Sequence, residues 1–102
     1  MQKKEDIEVY SHATNRCVVR MPERKYPGVV VQGDSLSVLF SWAIHLVDEL
    51  KDQKNKPAFE NALELAELLE GYLKHYESVL KEHDIDLPYM KDPGKSTEMY
   101  KN

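Results

Sequence analysis

The spacing of apolar residues changes along this chain from alternation to a helical repeat near residue 33. Residues 7–11 and 17–21 alternate apolar and polar positions, and residues 29–32 begin with three consecutive valines. Alternation favours strands with one buried face, whereas a continuous apolar run favours a strand covered on both faces. We therefore predict three strands over these ranges, the third of them the most buried. Asn15, between the first two strands, is the residue best suited to a positive φ in a hairpin loop.

Two later stretches carry apolar residues at the three- and four-residue spacing of an amphipathic helix. They predict helices over about 35–51 and 57–82. Asp34 or Ser35 is suited to cap the first helix, since both residue types accept the N–H groups left free at a helix start. Pro57 suits the first turn of the second helix.

Helical periodicity is lost after His83, and residues 88–102 contain prolines, a glycine and mostly polar side chains. They predict a loosely ordered tail. Residues 1–87 then form a single domain of the α+β class, because strands precede helices rather than alternate with them. The expected architecture is a small antiparallel sheet of about three strands packed against two helices, the second long. Gly71 conflicts with the second helix and could mark a close approach or a slight bend.

Both predicted helices carry apolar surfaces wider than one face. A sheet of three strands can cover only part of this surface, so we predict a homodimer or another oligomer formed largely through the helices. The candidate interface residues are Trp42, Leu46, Leu65, Leu68 and Tyr72.

The formal net charge of −4 is unevenly distributed. Residues 34–90 carry twelve acidic side chains against five lysines, which would repel a phosphate backbone and argues against a nucleic-acid partner. The row Glu60, Glu64 and Glu67 either engages a basic protein partner or is the solvated face of its helix.

Several features lead us to expect a cytoplasmic protein that is not inserted in a membrane. The chain has no apolar run long enough to span a bilayer, and its first residues turn acidic where a signal peptide needs an apolar region. Its single cysteine, Cys17, excludes an intrachain disulfide, which fits a reducing compartment.

Gly33-Asp34-Ser35-Leu36 is similar to the nucleophile block of the GDSL esterases and lipases. Members of that family are about twice as long, and they place a base and an orienting acid in an Asp-x-x-His block near the C-terminus. Here His83 and Asp84 have the wrong order and spacing, and a serine without a base is a weak nucleophile. We therefore expect no enzymatic activity, with a minimal hydrolase using Ser35 as a remote alternative.

The four histidines are scattered along the chain. His45 and Asp48 on the first helix could meet His75 on the second. The helices nevertheless lack the paired Glu-x-x-His pattern of a di-metal bundle. No metal and no cofactor is expected.

The strand-turn-helix segment around Pro27-Gly28-Val29-Val30-Val31-Gln32-Gly33-Asp34-Ser35-Leu36 resembles a family of small bacterial proteins of unknown function over about residues 7–50. This resemblance implies a short hairpin region followed by helices, and it carries no activity or functional residue to transfer. The same segment is similar, more weakly, to HicB-type antitoxins, which bind a toxin nuclease. The long second helix departs from that family, where a fourth strand would follow Leu50.

These observations favour a non-enzymatic binding or regulatory module that acts as an oligomer. An antitoxin or immunity-type inhibitor of a toxin is the alternative, suggested by the HicB likeness and the acidic helix.

Overall fold

The computed structural model describes residues 6–92 and 94–101. The chain divides into two compact units between Gln32 and Gly33, where the spacing of apolar residues changes. The first unit holds a three-stranded antiparallel sheet and the second holds two helices, so the predicted α+β class is confirmed. The packing of the sheet against the helices stays a prediction.

The sheet consists of β1 (Glu8–Ser11), β2 (Val18–Arg20) and β3 (Gly28–Val29), in the spatial order β1-β2-β3. Both strand pairs are antiparallel. Asn15 lies between β1 and β2 with φ at 63°, as its residue type indicates, because the short amide side chain tolerates the left-handed region.

The pairing of β1 with β2 sets Val9 opposite Val19 and Glu8 opposite Arg20. The Arg20 guanidinium forms an ion pair with the Glu8 carboxylate, so cross-strand charge supports the same register as the valine pair. The register shifts between Val9 and Ser11, which is the signature of a β-bulge.

The prediction for the third strand is wrong in length and in burial. β3 has only two residues and is an edge strand, extended by one hydrogen bond from Val30 N–H to the Cys17 carbonyl at 2.8 Å. The side chains of Val29, Val30 and Val31 are 62%, 41% and 43% exposed. An apolar run indicates strand propensity, but it does not by itself bring cover to both faces, because that cover comes from elements packed above and below the sheet.

The second unit is a helical hairpin of α1 (Gly33–Leu50) and α2 (Lys56–Glu82), close to the bounds that the sequence predicts. Asn55 caps α2 by accepting the Ala58 N–H at 3.1 Å, and Pro57 lies in the first turn as expected. Neither helix, within the part of the chain that the structure describes, is long and apolar enough to cross a membrane.

The end of α2 is a Schellman motif. Asp84 takes a positive φ of 56°, and this turn lets the Ile85 N–H donate to the Leu80 carbonyl at 2.9 Å and the Asp84 N–H donate to the Lys81 carbonyl at 3.2 Å. These two bonds satisfy carbonyls that the helix leaves free, and they stop α2 just after Glu82.

The core of the second unit lies between the two helices. Four residues form a buried stripe on α1, and two residues of α2 face them: Phe40, Ala43, Ile44 and Val47, opposite Ala66 and Leu73. The stripe follows helical spacing, so burial of apolar area holds the hairpin together. Phe59, Tyr89 and Tyr100 pack at its edges, half-buried.

Candidate interaction surface

The serine of the GDSL-like segment lies in the first turn of α1. The helix begins at Gly33, so Asp34 and Ser35 lie inside the first turn rather than before it. The Asp34 carboxylate accepts the Ser35 N–H at 2.8 Å and places negative charge at the positive end of the helix. The described contacts of this segment are those of a helix start.

The aromatic ring of Tyr76 covers the backbone of Gly33, which is buried. A Cβ atom added to Gly33 would overlap the ring and hydroxyl atoms of Tyr76. Glycine is therefore required here by close approach, a contact that the sequence pattern does not reveal. Gly71 has open space around its Cβ position, so the close approach that its sequence context suggests is absent there.

The five candidate interface residues are all exposed. Trp42 and Leu46 of α1 and Leu65, Leu68 and Tyr72 of α2 keep between 47% and 63% of their surface accessible. We call these five residues the apolar face. One exposed apolar side chain is ordinary, whereas several on neighbouring helices are typical of an interaction surface.

Residues 89–92 and 94–101, the C-terminal segment, make specific contacts with both helices, contrary to the loosely ordered tail that the sequence predicts. Thr97 is fully buried and begins a short 3₁₀ helix, Thr97–Tyr100. Tyr100 donates to Asp48 of α1 at 2.9 Å, and its ring packs edge-on against Phe59 of α2. Long-range partners, rather than local periodicity, order this segment.

Leu46 and Leu65 of the apolar face lie on the side of the hairpin opposite the C-terminal segment. On α1, with 3.6 residues per turn, Leu46 lies on one flank of the buried stripe and Ser41 and Asp48 on the other. On α2, Leu65 and Glu67 likewise lie on opposite flanks of the buried positions. Ser41, Asp48 and Glu67 all contact the C-terminal segment. The flanks of α1 and α2 that carry these three residues therefore lie on one side of the hairpin. The flanks that carry Leu46 and Leu65 lie on the other side.

Glu70 is the anchor of the C-terminal segment on α2. Its buried carboxylate accepts hydrogen bonds from the Thr97 N–H, at 3.2 Å, and from the Thr97 hydroxyl. Burial raises the pKa of Glu70, but the hydrogen bonds from Thr97 and Ser96 outweigh burial and hold this pKa below its ordinary value. The carboxylate is thus kept ionised by the segment that covers it.

Two tyrosines fasten the C-terminal segment to acidic side chains. The Tyr89 hydroxyl donates to Glu77 at 2.7 Å, and burial followed by this bond raises the pKa of Tyr89 well above its usual range. Burial and a bond to Asp48 raise the pKa of Tyr100 in the same direction. Both tyrosines are therefore neutral hydrogen-bond donors under ordinary conditions.

The acidic row on α2 is only partly available to a partner. Glu60 and Glu64 are exposed, whereas Glu67 is paired with Lys101 of the C-terminal segment at 3.2 Å. A basic partner would therefore meet two carboxylates of this row rather than three.

The histidines do not come together with acids or Cys17 as ligands. Over residues 6–92 and 94–101, histidine, cysteine, aspartate and glutamate side chains form no group of three that could hold a metal ion. His45 and His75 are exposed on α1 and α2.

Residues 2–89 match the profile of a family described as "Family of unknown function (DUF6959)". The chain belongs to this family. The DUF6959 match extends beyond residues 7–50, where the resemblance to a family of unknown function is drawn from the sequence. No curated protein and no solved structure matches the chain. In this DUF6959 member, the contacts of Lys95, Thr97 and Tyr100 come from residues beyond the matched range.

Proposed function

We propose that this DUF6959 protein is a non-enzymatic binding or regulatory module that acts as a homodimer through its apolar face. The observation that carries the proposal is the exposure of Trp42, Leu46, Leu65, Leu68 and Tyr72 on the outer surface of a helical hairpin. Tryptophan and tyrosine are enriched at the buried centres of protein interfaces, because they combine large apolar area with a polar handle. A second copy of the hairpin presents a matching apolar surface under two-fold symmetry.

The association free energy that each residue contributes can be worked out from its exposed area. Fully burying a large apolar side chain is worth roughly 1.5–3 kcal/mol. About a third of Trp42 and half of Leu68 is already covered within the chain, so each contributes about 1 kcal/mol on association. A symmetric dimer contains each residue twice, and the double variant W42Q/L68Q should therefore weaken association by about 4 kcal/mol, or roughly a thousandfold in Kd.

Size-exclusion chromatography with light scattering tests this proposal at micromolar concentration. We expect a dimer for the wild type and a monomer for W42Q/L68Q, with unchanged helical circular dichroism. M99Q is the matched control, since Met99 is also an exposed apolar residue, on the opposite side of the hairpin. A monomeric wild type contradicts the proposal, and so does a variant that dimerises as the wild type does.

An inhibitory role against a basic toxin is the second candidate. It is supported by the exposed carboxylates of Glu60 and Glu64 and by the net charge of −4, together with the HicB-like segment. Charge complementarity mainly raises association rates and is screened by salt. Co-expression with the product of an adjacent small basic gene should yield a stoichiometric complex, and E60Q/E64Q should slow its association. Recovery of no stoichiometric complex contradicts this role.

A further inference from the structure

A cavity lies between α1, α2 and the C-terminal segment. Its volume is about 310 Å³, which falls at the lower end of the range for small-molecule sites. Apolar side chains form much of its lining: Val38, Phe40, Leu73, Tyr89 and Met90. A wider groove of about 690 Å³ at the end of α2 is lined mostly by charged residues and offers less apolar contact.

The acidic groups of the cavity are already engaged within the chain. Glu70 accepts two hydrogen bonds from Thr97. Glu77 accepts the Tyr89 hydroxyl on one oxygen and pairs with Lys91 at 3.4 Å on the other. Asp92 also lines the cavity, and its carboxylate accepts the Gly94 N–H at 2.9 Å. Three lysines, Lys74, Lys91 and Lys95, balance the charge of the three carboxylates.

The ammonium groups of the cavity are less fully engaged. Lys95 is half-buried, and its Nζ donates to the Ser41 hydroxyl at 2.9 Å, a neutral acceptor. An ammonium has three donors, so hydrogen-bonding capacity remains at this Nζ. Lys74 also lines the cavity. Among the ion pairs of the described residues, neither Lys95 nor Lys74 has a carboxylate partner.

We propose that this cavity binds a small amphipathic anion, a carboxylic acid with an aromatic or aliphatic body. The apolar body lies against Phe40, Leu73 and Tyr89, and the carboxylate accepts hydrogen bonds from Lys95 and Lys74. None of the five residues of the apolar face lines this cavity.

Ligand-observed ¹⁹F NMR titration with 4-(trifluoromethyl)phenylacetate tests the site, with the neutral 4-(trifluoromethyl)phenylacetamide as the matched probe. We expect the acid to bind about tenfold more tightly than the amide, the difference typical of one charge-assisted hydrogen bond. K95M should remove this preference. K74M should reduce the preference for the acid. Because Lys74 lies on α2, this variant still tests the proposal if K95M loosens the C-terminal segment. K54M, at an exposed lysine outside the cavity, should leave it unchanged.

Three results would overturn the proposal. The acid and the amide could bind with equal affinity, which indicates apolar adsorption alone. K95M, K74M and K54M could give the same affinities as the wild type. Finally, W42Q/L68Q could abolish binding, which would place the probe on the apolar face.

Discussion

Gly33 and Gly71 both lie in helices, yet the structure predicts opposite effects when each is changed to alanine. Alanine is favoured over glycine in a helix interior by roughly 1 kcal/mol. Gly71 is exposed, has open space around its Cβ position and has no positive φ. G71A should therefore stabilise the protein by about 1 kcal/mol, which corresponds to a rise of about 4 °C in Tm for a domain of this size.

G33A has to displace the ring of Tyr76, because the new methyl group overlaps it. Forcing extra volume into a packed contact costs roughly 1–3 kcal/mol. The helix-propensity gain offsets up to about 1 kcal/mol of this cost. G33A should therefore lower the free energy of unfolding by about 1 kcal/mol and the Tm by about 4 °C.

Urea and thermal unfolding followed by circular dichroism at the helical band measure both changes. Y76L supplies the control, since G33A in a Y76L background should no longer destabilise the protein, and the difference is the coupling free energy of the pair. The reasoning fails if G33A is neutral or stabilising, or if its penalty is the same without the Tyr76 ring.

Three further predictions concern the contact between Glu70 and Thr97 and the turn at Asp84 that ends α2. Because hydrogen bonds hold the pKa of Glu70 below its ordinary value of 4.5, its contribution to stability is complete above about pH 4.5 and is lost as pH falls through the folded-state pKa. E70Q should therefore flatten the fall in urea midpoint between neutral pH and about pH 3, and an unchanged slope contradicts this. T97V should cost about 1–3 kcal/mol by leaving the buried Glu70 one donor short, and a near-neutral urea midpoint would refute it. D84G should raise the free energy of unfolding by about 1 kcal/mol, since glycine adopts positive φ without a Cβ penalty; a lower Tm would count against it.

The two long helices are the part of the fold that the sequence predicts best. Apolar residues at helical spacing indicate both α1 and α2, and Pro57 marks the start of α2 within a residue or so. These signals are local, so they can be recognised without knowledge of the tertiary contacts. The five residues of the apolar face belong to the same pattern, and their exposure follows from helices that are wider in apolar surface than one partner can cover.

The C-terminal segment shows where sequence reasoning stops. Tyr89, Thr97 and Tyr100 have no helical or alternating period, and their partners Glu77, Glu70 and Asp48 lie on the two helices. The strength of each contact depends on burial, which only the tertiary structure provides. The available signal was the position of Glu70 between Ala66 and Leu73 on the apolar stripe of α2, since a carboxylate on the inner face of a helix requires donors.

The prediction of a buried third strand is wrong for a related reason. Three valines in a row indicate high strand propensity, but they do not indicate which neighbours the strand has. Among residues 6–92 and 94–101, β3 pairs with β2 alone, so one of its edges has no strand partner there.

The unpaired edge of β3 has a consequence for handling the protein. An exposed strand edge beside the β-branched residues Val29, Val30 and Val31 is a template for addition of further strands. Association through such an edge has no closed end point, so we expect it to cause precipitation on concentration or heating, whereas association through paired helices stops at a fixed stoichiometry. V30K should therefore delay aggregation without altering the proposed helical dimer.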